Sequence, residues 1–251
     1  MTPPSISDFL DSQRLELRRS PNTVEAYGRD LQQFAEWLTA GQPETFAADK
    51  VATSDIRSWL ATLAKGGDKA STIRRKAQSL RAFFRHLLRN RVIDHNPAHD
   101  ILLAKLPKRL PVFVKSQEME KILAPLPDDD DAESWLHHIV TNILYTTGLR
   151  CSELASLTDA DINRQSATLK VVGKRNKERI LPLPQALINE IAHWQQLRDK
   201  LYPDLCAPRP LLVWRGHAAT RNNIYSIVHQ TLAGTSTSRK SPHTLRHTCA
   251  T

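Results

Sequence analysis

Ala167-Thr-Leu-Lys-Val-Val-Gly-Lys-Arg-Asn-Lys-Glu-Arg-Ile-Leu-Pro-Leu183 is the stretch that sets this chain apart from a plain helical bundle. Ala167–Val172 and Arg179–Leu183 are short β-rich runs, and Gly173–Lys177 between them is polar. That pattern predicts a β-hairpin with a charged tip. Around it the spacing is helical. Upstream, Ser116–Leu123 and Ala132–Thr147 predict helices. Downstream, Gln185–Leu201 and Arg221–Leu232 do the same, with a short strand at Leu211–Val213 between them. Pro242 sits where a further helix can start. The second block therefore reads as a mostly helical domain with a small antiparallel sheet.

The first hundred residues read as four helices. Ile6, Phe9 and Leu10, continued through Gln13–Leu17, open with helical spacing, and Ser20-Pro21-Asn22-Thr23 is a stop followed by a fresh start. Val24, Tyr27, Leu31, Phe34, Trp37 and Leu38 then recur at intervals of three and four, an apolar stripe on one helix face. Thr53-Ser54-Asp55 offers a cap for a third helix, stopped by Gly66-Gly67. The fourth starts near Ser71, with Ile73, Leu80, Phe83 and Phe84 on one face and Arg74, Arg75, Lys76, Arg81, Arg85 and Arg89 on the other. No acidic residue stands four positions along from these cations, which removes the usual reason for a charge-laced surface helix and favours phosphate contact. Asn96-Pro97 ends the block. The segment Lys105-Leu-Pro-Lys108-Arg-Leu-Pro111 holds two prolines and three bases, so it reads as an extended linker able to lie along a phosphate backbone. The expected division is 1–104, a linker at 105–115, and 116–251, in a mainly α fold.

The chain has 251 residues, with 35 Lys+Arg against 26 Asp+Glu and a formal charge of +9. Such a surplus favours a polyanionic partner. Four acids are concentrated at Asp128–Asp131, which reads as a solvated loop, so the remainder is more basic still. Cys151, Cys206 and Cys249 form no CxxC pair or Cys/His cluster, which argues against a closed zinc site and for buried, reduced thiols. No acidic cluster accompanies the basic segments, which disfavours a metal nuclease. No signal peptide or membrane-spanning run is visible, so a cytoplasmic protein without a membrane partner is expected.

Three separated boxes carry candidate chemistry. In Thr147-Gly148-Leu149-Arg150-Cys151-Ser152-Glu153-Leu154 an apolar helix reaches a glycine and presents Arg150 just before a new helical turn. Alone, that is an ordinary helix C-cap with a surface arginine. The hairpin tip brings Lys174, Arg175, Lys177 and Arg179 with one acid, Glu178, and would aim a cation cluster at a polyanion. In Ser241-Pro-His243-Thr-Leu-Arg246-His247-Thr, His243 and Arg246 are three apart and share a helix face, with Leu245 turned to the core.

Together and in this order, the boxes resemble the tyrosine recombinase (phage integrase) family, and within it the bacterial Xer recombinases. The resemblance spans essentially the whole chain. Ser20-Pro-Asn-Thr-Val-x-x-Tyr27-x-x-Asp30-Leu31, Arg81-Ala-Phe-Phe84 and Asn96-Pro97 are similar to the family's SAM-like core-binding domain. The resemblance implies transesterification at a DNA phosphodiester with no metal or other cofactor. A tyrosine attacks phosphorus, leaving a 3′-phosphotyrosyl link and a free 5′-hydroxyl. The 5′-hydroxyl of a second strand then reverses the step. It implies that Arg150 and Arg246 clamp the phosphate, as suits planar, permanently charged forks. It maps Lys174 to the acid that protonates the departing 5′-oxygen. It maps His243 to a phosphate hydrogen-bonder that helps manage the nucleophile's proton, and Glu153 to a partner positioning Arg150. The implied partner is a double-stranded DNA recombination site, engaged by a homo- or hetero-tetramer with a related recombinase.

In the family a Gly-His (sometimes Trp) pair and the tyrosine follow the last box, whereas this sequence ends at Thr251. Tyr27, Tyr145, Tyr202 and Tyr225 all precede His243, as does Gly216-His217, so no nucleophile is assigned. The expectation is an Xer-like recombinase that resolves chromosome dimers, binding DNA without cleaving it as written. The competing readings are a DNA-binding module without chemistry and a mobile-element integrase.

Overall fold

The computed structural model describes residues 2–103, 112–173 and 177–249. The chain divides into two units, Met1–Lys108 and Arg109–Thr251.

In the first unit, helices α1 (Pro4–Leu15), α2 (Pro21–Leu38), α3 (Thr53–Lys65) and α4 (Ala70–Arg89) surround an aromatic core. Phe9, Phe34, Trp59, Phe83 and Phe84 are all 1% exposed or less. Phe34 meets Trp59 edge-on at 5.1 Å, and Phe9 meets Phe83 at 5.6 Å. Burial of each such ring is worth roughly 1.5–3 kcal/mol, with edge-to-face contacts adding to it. The break at Ser20-Pro21 forms as expected: Ser20 Oγ accepts the Thr23 N–H and Pro21 opens α2. The start of α3 differs. Ala52 is its N-cap, and Asp55 reaches back to accept the Ala52 N–H at 2.9 Å, while the Thr53 hydroxyl donates to the Pro97 carbonyl. Helix α1 ends at Leu15, so Leu17 lies outside it and is 45% exposed.

The cationic face of α4 is largely spoken for within the fold. Lys76 is buried and pairs with Asp68 at 2.7 Å. Arg89 reaches Glu16, and Arg75 bonds Asp30. Arg81 donates to the Ala98 and Ile101 carbonyls and pins the segment after α4. The expected lack of acids at i+4 holds along the helix; the acids arrive from other elements.

In the second unit, α6 (Ala132–Thr147) runs through the core, packed by α8 (Gln185–Leu201), α9 (Arg221–Thr231) and α10 (Pro242–Cys249). Helix α5 (Ser116–Leu123) precedes it, and the short α7 (Cys151–Ala155) follows it. The expected hairpin is present as β2 (Thr168–Val172) and β3 (Glu178–Pro182), with β1 (Ile162–Asn163) on the far edge of β2. All pairings are antiparallel, with Leu169 opposite Leu181 and Val171 opposite Arg179. Leu169 and Val171 face the core while Lys170 points out to pair with Glu178 at 2.9 Å. The strand expected at Leu211–Val213 is displaced: Leu211 and Leu212 are buried, and β4 (Val213–Trp214) pairs with β5 (His217–Ala218). Arg198 is fully buried, its guanidinium bonded to both Asp159 oxygens at 2.8 Å and to the Pro210 carbonyl at 2.7 Å.

Val114, near the end of the stretch expected to be linker, is buried in this core and donates its N–H to Thr248 Oγ1 at 3.0 Å. The cysteines correct another expectation. Cys206 and Cys249 are exposed and Cys151 half-buried, all three as free thiols. Asp128–Asp130 are solvated as expected, but Asp131 caps α6 by accepting the Ser134 N–H at 3.1 Å.

Candidate active site

Gly148 ends α6 in the left-handed region, at φ 59°. A side chain there would be strained, and a Cβ would also lie 3.3 Å from Cys249 Sγ and 3.9 Å from Arg246 Cγ. The first and third boxes therefore meet at this glycine, where α10 crosses the end of α6. Cys249 Sγ adds a contact to the Thr146 carbonyl at 3.5 Å.

The next residue, Leu149, is buried, which fixes the direction of Arg150. Arg150 is the N-cap of α7, and Glu153 closes the cap by accepting its backbone N–H at 2.8 Å. The other Glu153 oxygen accepts from Arg150 Nη1, also at 2.8 Å. One carboxylate thus holds both the backbone and the guanidinium of Arg150, whose side chain stays 52% exposed. A guanidinium carries five N–H donors, so most of the fork remains for an external anion.

Glu153 itself is 5% exposed. Burial works to raise its pKa, but hydrogen bonds from Arg179 and from the Arg150 backbone and side chain outweigh it and hold the carboxyl down at about 2. Arg179 supplies two of these bonds, Nη2 to Oε2 at 2.8 Å and Nη1 to Oε1 at 3.1 Å. Arg179 belongs to the cluster expected to point outward from the hairpin tip. The fold turns it inward onto the first box instead, and its own pKa is raised by the Glu153 bond. The contact ties β3 to α7. Gly173 sits in the same corner, where a Cβ would lie 3.1 Å from Arg179 Nη1 and 3.6 Å from Glu153 Oε1. Its N–H donates across the hairpin to the Lys177 carbonyl at 2.8 Å.

On α10, Leu245 is fully buried, His243 is exposed and Arg246 is half-buried. Nη1 of Arg246 is buried and finds no acceptor among the described residues. A buried donor without a partner is costly, and an incoming anion would satisfy it. Lys177 is exposed; Lys174, Arg175 and Lys108 lie outside the described residues. The structure thus gathers Arg150, Glu153 and Arg246 around Gly148 and adds Arg179, for which the sequence offered only a position in a basic run. Arg75 is half-exposed against Asp30, whereas Arg81 is taken up by backbone carbonyls and Arg74 is partly buried on α4. Tyr27 and Tyr145 pack against the two cores, as expected, and Tyr225 is 51% exposed.

Comparison with known proteins adds a decisive match. Residues 112–251 fit the pattern of the phage integrase family, and residues 6–91 fit the N-terminal SAM-like domain of phage integrases. The chain belongs to the phage integrase family. Within it the chain is a tyrosine site-specific recombinase of Xer type. It is 33% identical over 258 residues to the tyrosine recombinase XerD of Proteus mirabilis, covering 98% of this chain and 78% of that one. It is 35% identical to XerD of Pseudomonas aeruginosa over 254 residues, 99% of this chain and 83% of the relative. XerC of Pelobacter propionicus is also 35% identical, over 94% of this recombinase and 77% of the relative. The fold of the recombinase is similar to that of the Tn1549 transposon integrase in complex with circular intermediate DNA. The TM-score is 0.72 at 19% identity, covering 97% and 85% of the two chains. The XerH site-specific recombinase bound to palindromic difH substrate, in a post-cleavage complex, gives 0.71 at 19% identity, covering 98% and 71%. Among the described residues no helix is long and apolar enough to cross a membrane.

Proposed function

We propose that Arg150 and Arg246 hold the non-bridging oxygens of a DNA phosphodiester during metal-independent strand exchange. The observation that carries this reading is the buried Arg246 donor without an acceptor among the described residues, on a side chain that packs at Gly148, two residues before an Arg150 already braced by Glu153. Attack on phosphorus builds charge on those oxygens, and two fixed guanidinium groups offset it with little reorganisation. Lys174 protonates the departing 5′-oxygen, for which a titratable ammonium is suited and a guanidinium is not. His243 hydrogen-bonds the phosphate. The nucleophile is a tyrosine downstream of these boxes, and its phosphotyrosyl ester is resolved by the 5′-hydroxyl of the second strand.

The relatives named tyrosine recombinase XerC and XerD support an Xer-type reading, and the role proposed within it is the resolution of chromosome dimers at a double-stranded recombination site. The working assembly is a tetramer with itself or a related recombinase. The test uses the reading frame carried downstream through a Gly-His and a tyrosine, on a nicked trapping substrate. Covalent protein–DNA adducts are expected, and Arg150→Ala or Arg246→Ala abolishes them. Adducts formed at the parent level by both variants would overturn the assignment. A stop codon directly after Thr251 would leave DNA binding without cleavage as the function.

A further inference from the structure

Glu153 accepts four hydrogen bonds, two at each oxygen. Oε1 takes Arg150 Nη1 at 2.8 Å and Arg179 Nη1 at 3.1 Å. Oε2 takes the Arg150 backbone N–H and Arg179 Nη2, both at 2.8 Å. A carboxylate offers roughly four acceptor sites, so this one is full. The two arginines share it unequally. Arg179 has the parallel two-point grip, whereas the guanidinium of Arg150 bonds Glu153 through Nη1.

Arg198 shows what an arginine does when the two-point grip is open to it. Its Nη1 and Nη2 each hold one oxygen of Asp159 at 2.8 Å, and the side chain is fully buried. On Glu153 that grip belongs to Arg179, which bars Arg150 from it. The remaining donors of Arg150 stay clear of Glu153, on a side chain that is 52% exposed. Charge works the same way. Two arginines against one acid leave a surplus positive charge, whereas Glu153 alone would neutralise Arg150. Gly173, just after β2, makes room for the arrangement. Its backbone lies outside the left-handed region, but a Cβ there would lie 3.1 Å from Arg179 Nη1.

We propose that Arg179 is a positioning residue of strand exchange: by gripping both oxygens of Glu153 it keeps Arg150 from closing on that carboxylate, and so leaves the Arg150 fork free for the phosphodiester. The inference rests on the reading that Arg150 holds that phosphodiester. Arg179 acts through Glu153 and makes no contact with DNA.

Two assays, run below the unfolding temperature of every variant, separate this role from a structural one and from a direct contact. The first follows adduct formation at saturating nicked trapping substrate, with the frame carried through the tyrosine. Arg179→Met is expected to lower the rate about a hundredfold, the scale of a misplaced catalytic group. Arg179→Lys is expected to lower it about tenfold or more, because an ammonium keeps the charge without the parallel fork. Gly173→Ala is the companion that changes no charge. Its Cβ displaces the end of Arg179, so the rate should fall about tenfold at an unfolding temperature like the parent's. The second assay titrates labelled duplex into the chain ending at Thr251. Arg179→Met is expected to weaken binding about threefold in the parent and not at all in Arg150→Met, since both act on one contact. Arg179→Met or Arg179→Lys at the parent's rate overturns the inference alone. So does an Arg179→Met effect that persists without Arg150, which would make Arg179 a DNA contact in its own right. A parent that forms no adducts overturns the proposed strand exchange, and the binding cycle then still decides the role of Arg179.

Discussion

Arg179 and Glu153 form a two-point contact across 26 residues of sequence, Nη2 to Oε2 at 2.8 Å and Nη1 to Oε1 at 3.1 Å. The same carboxylate holds Arg150 by backbone and side chain. One buried acid between two arginines leaves a net positive cluster, and its geometry is set by the parallel fork that only a guanidinium offers.

Arg179→Lys should therefore fail to substitute for arginine. A lysine keeps the charge but replaces two parallel donors with a single flexible one. Arg179 is about a third exposed, so solvent screening reduces the penalty. The expected loss of stability is about 1–2 kcal/mol for Arg179→Ala, with Arg179→Lys close behind it. Urea denaturation checks this. A lysine variant as stable as the parent would show that charge alone suffices.

Acid should weaken the fold through Glu153. Its folded pKa of about 2 lies below the ordinary 4.5, so its contribution is fully present above pH 4.5 and is lost as pH falls toward 2. The shift corresponds to roughly 3 kcal/mol. Glu153→Gln should flatten that part of the stability–pH curve, so the gap between parent and variant narrows steadily from pH 4.5 to pH 2. Parallel curves over that range would mean that the carboxylate titrates alike folded and unfolded.

Short-range signals made much of this fold legible. Ser20-Pro21 and Gly148 mark helix ends because caps and positive φ are decided by immediate neighbours, whereas Asp131, which caps α6, reads as part of an acidic loop. Ser116–Leu123, Ala132–Thr147 and Gln185–Leu201 form as their periodicity predicts. The pairing of charges was not legible. Arg179 reaches across 26 positions, Arg198 across 39 to Asp159, and Arg75 across 45 to Asp30. No local pattern reports such distances, so a basic run reads alike whether its arginines face solvent or are spent internally. The β4–β5 pair was hidden for a related reason: its two-residue strands are too short to show alternation.

Gly148→Ala should destabilise the second unit by about 1–2 kcal/mol, from left-handed backbone alone. A further cost follows where the new Cβ lies 3.3 Å from Cys249 Sγ. Adding Cys249→Ala should recover part of that loss, by removing the sulfur while leaving the backbone strain. Thermal unfolding of the two single variants and the double variant tests the coupling. Strict additivity would place the whole effect in the backbone.

Arg246 should trade stability against anion binding. Its Nη1 is buried without an acceptor among the described residues, so the free protein carries the desolvation cost of that donor. Arg246→Met keeps the apolar stem and removes the donor, and should leave the unfolding temperature unchanged or higher. On the proposed function the same change removes one of two arms that hold a phosphate, so affinity for duplex DNA should fall. Arg150→Met is the contrast. Arg150 is bonded to Glu153, and its loss leaves a buried carboxylate short of a partner, so that variant should lose both stability and affinity. Unfolding and DNA titration of both variants measure the two effects side by side. A large drop in the unfolding temperature of Arg246→Met would show that the arginine is built into the fold and not held ready for a ligand.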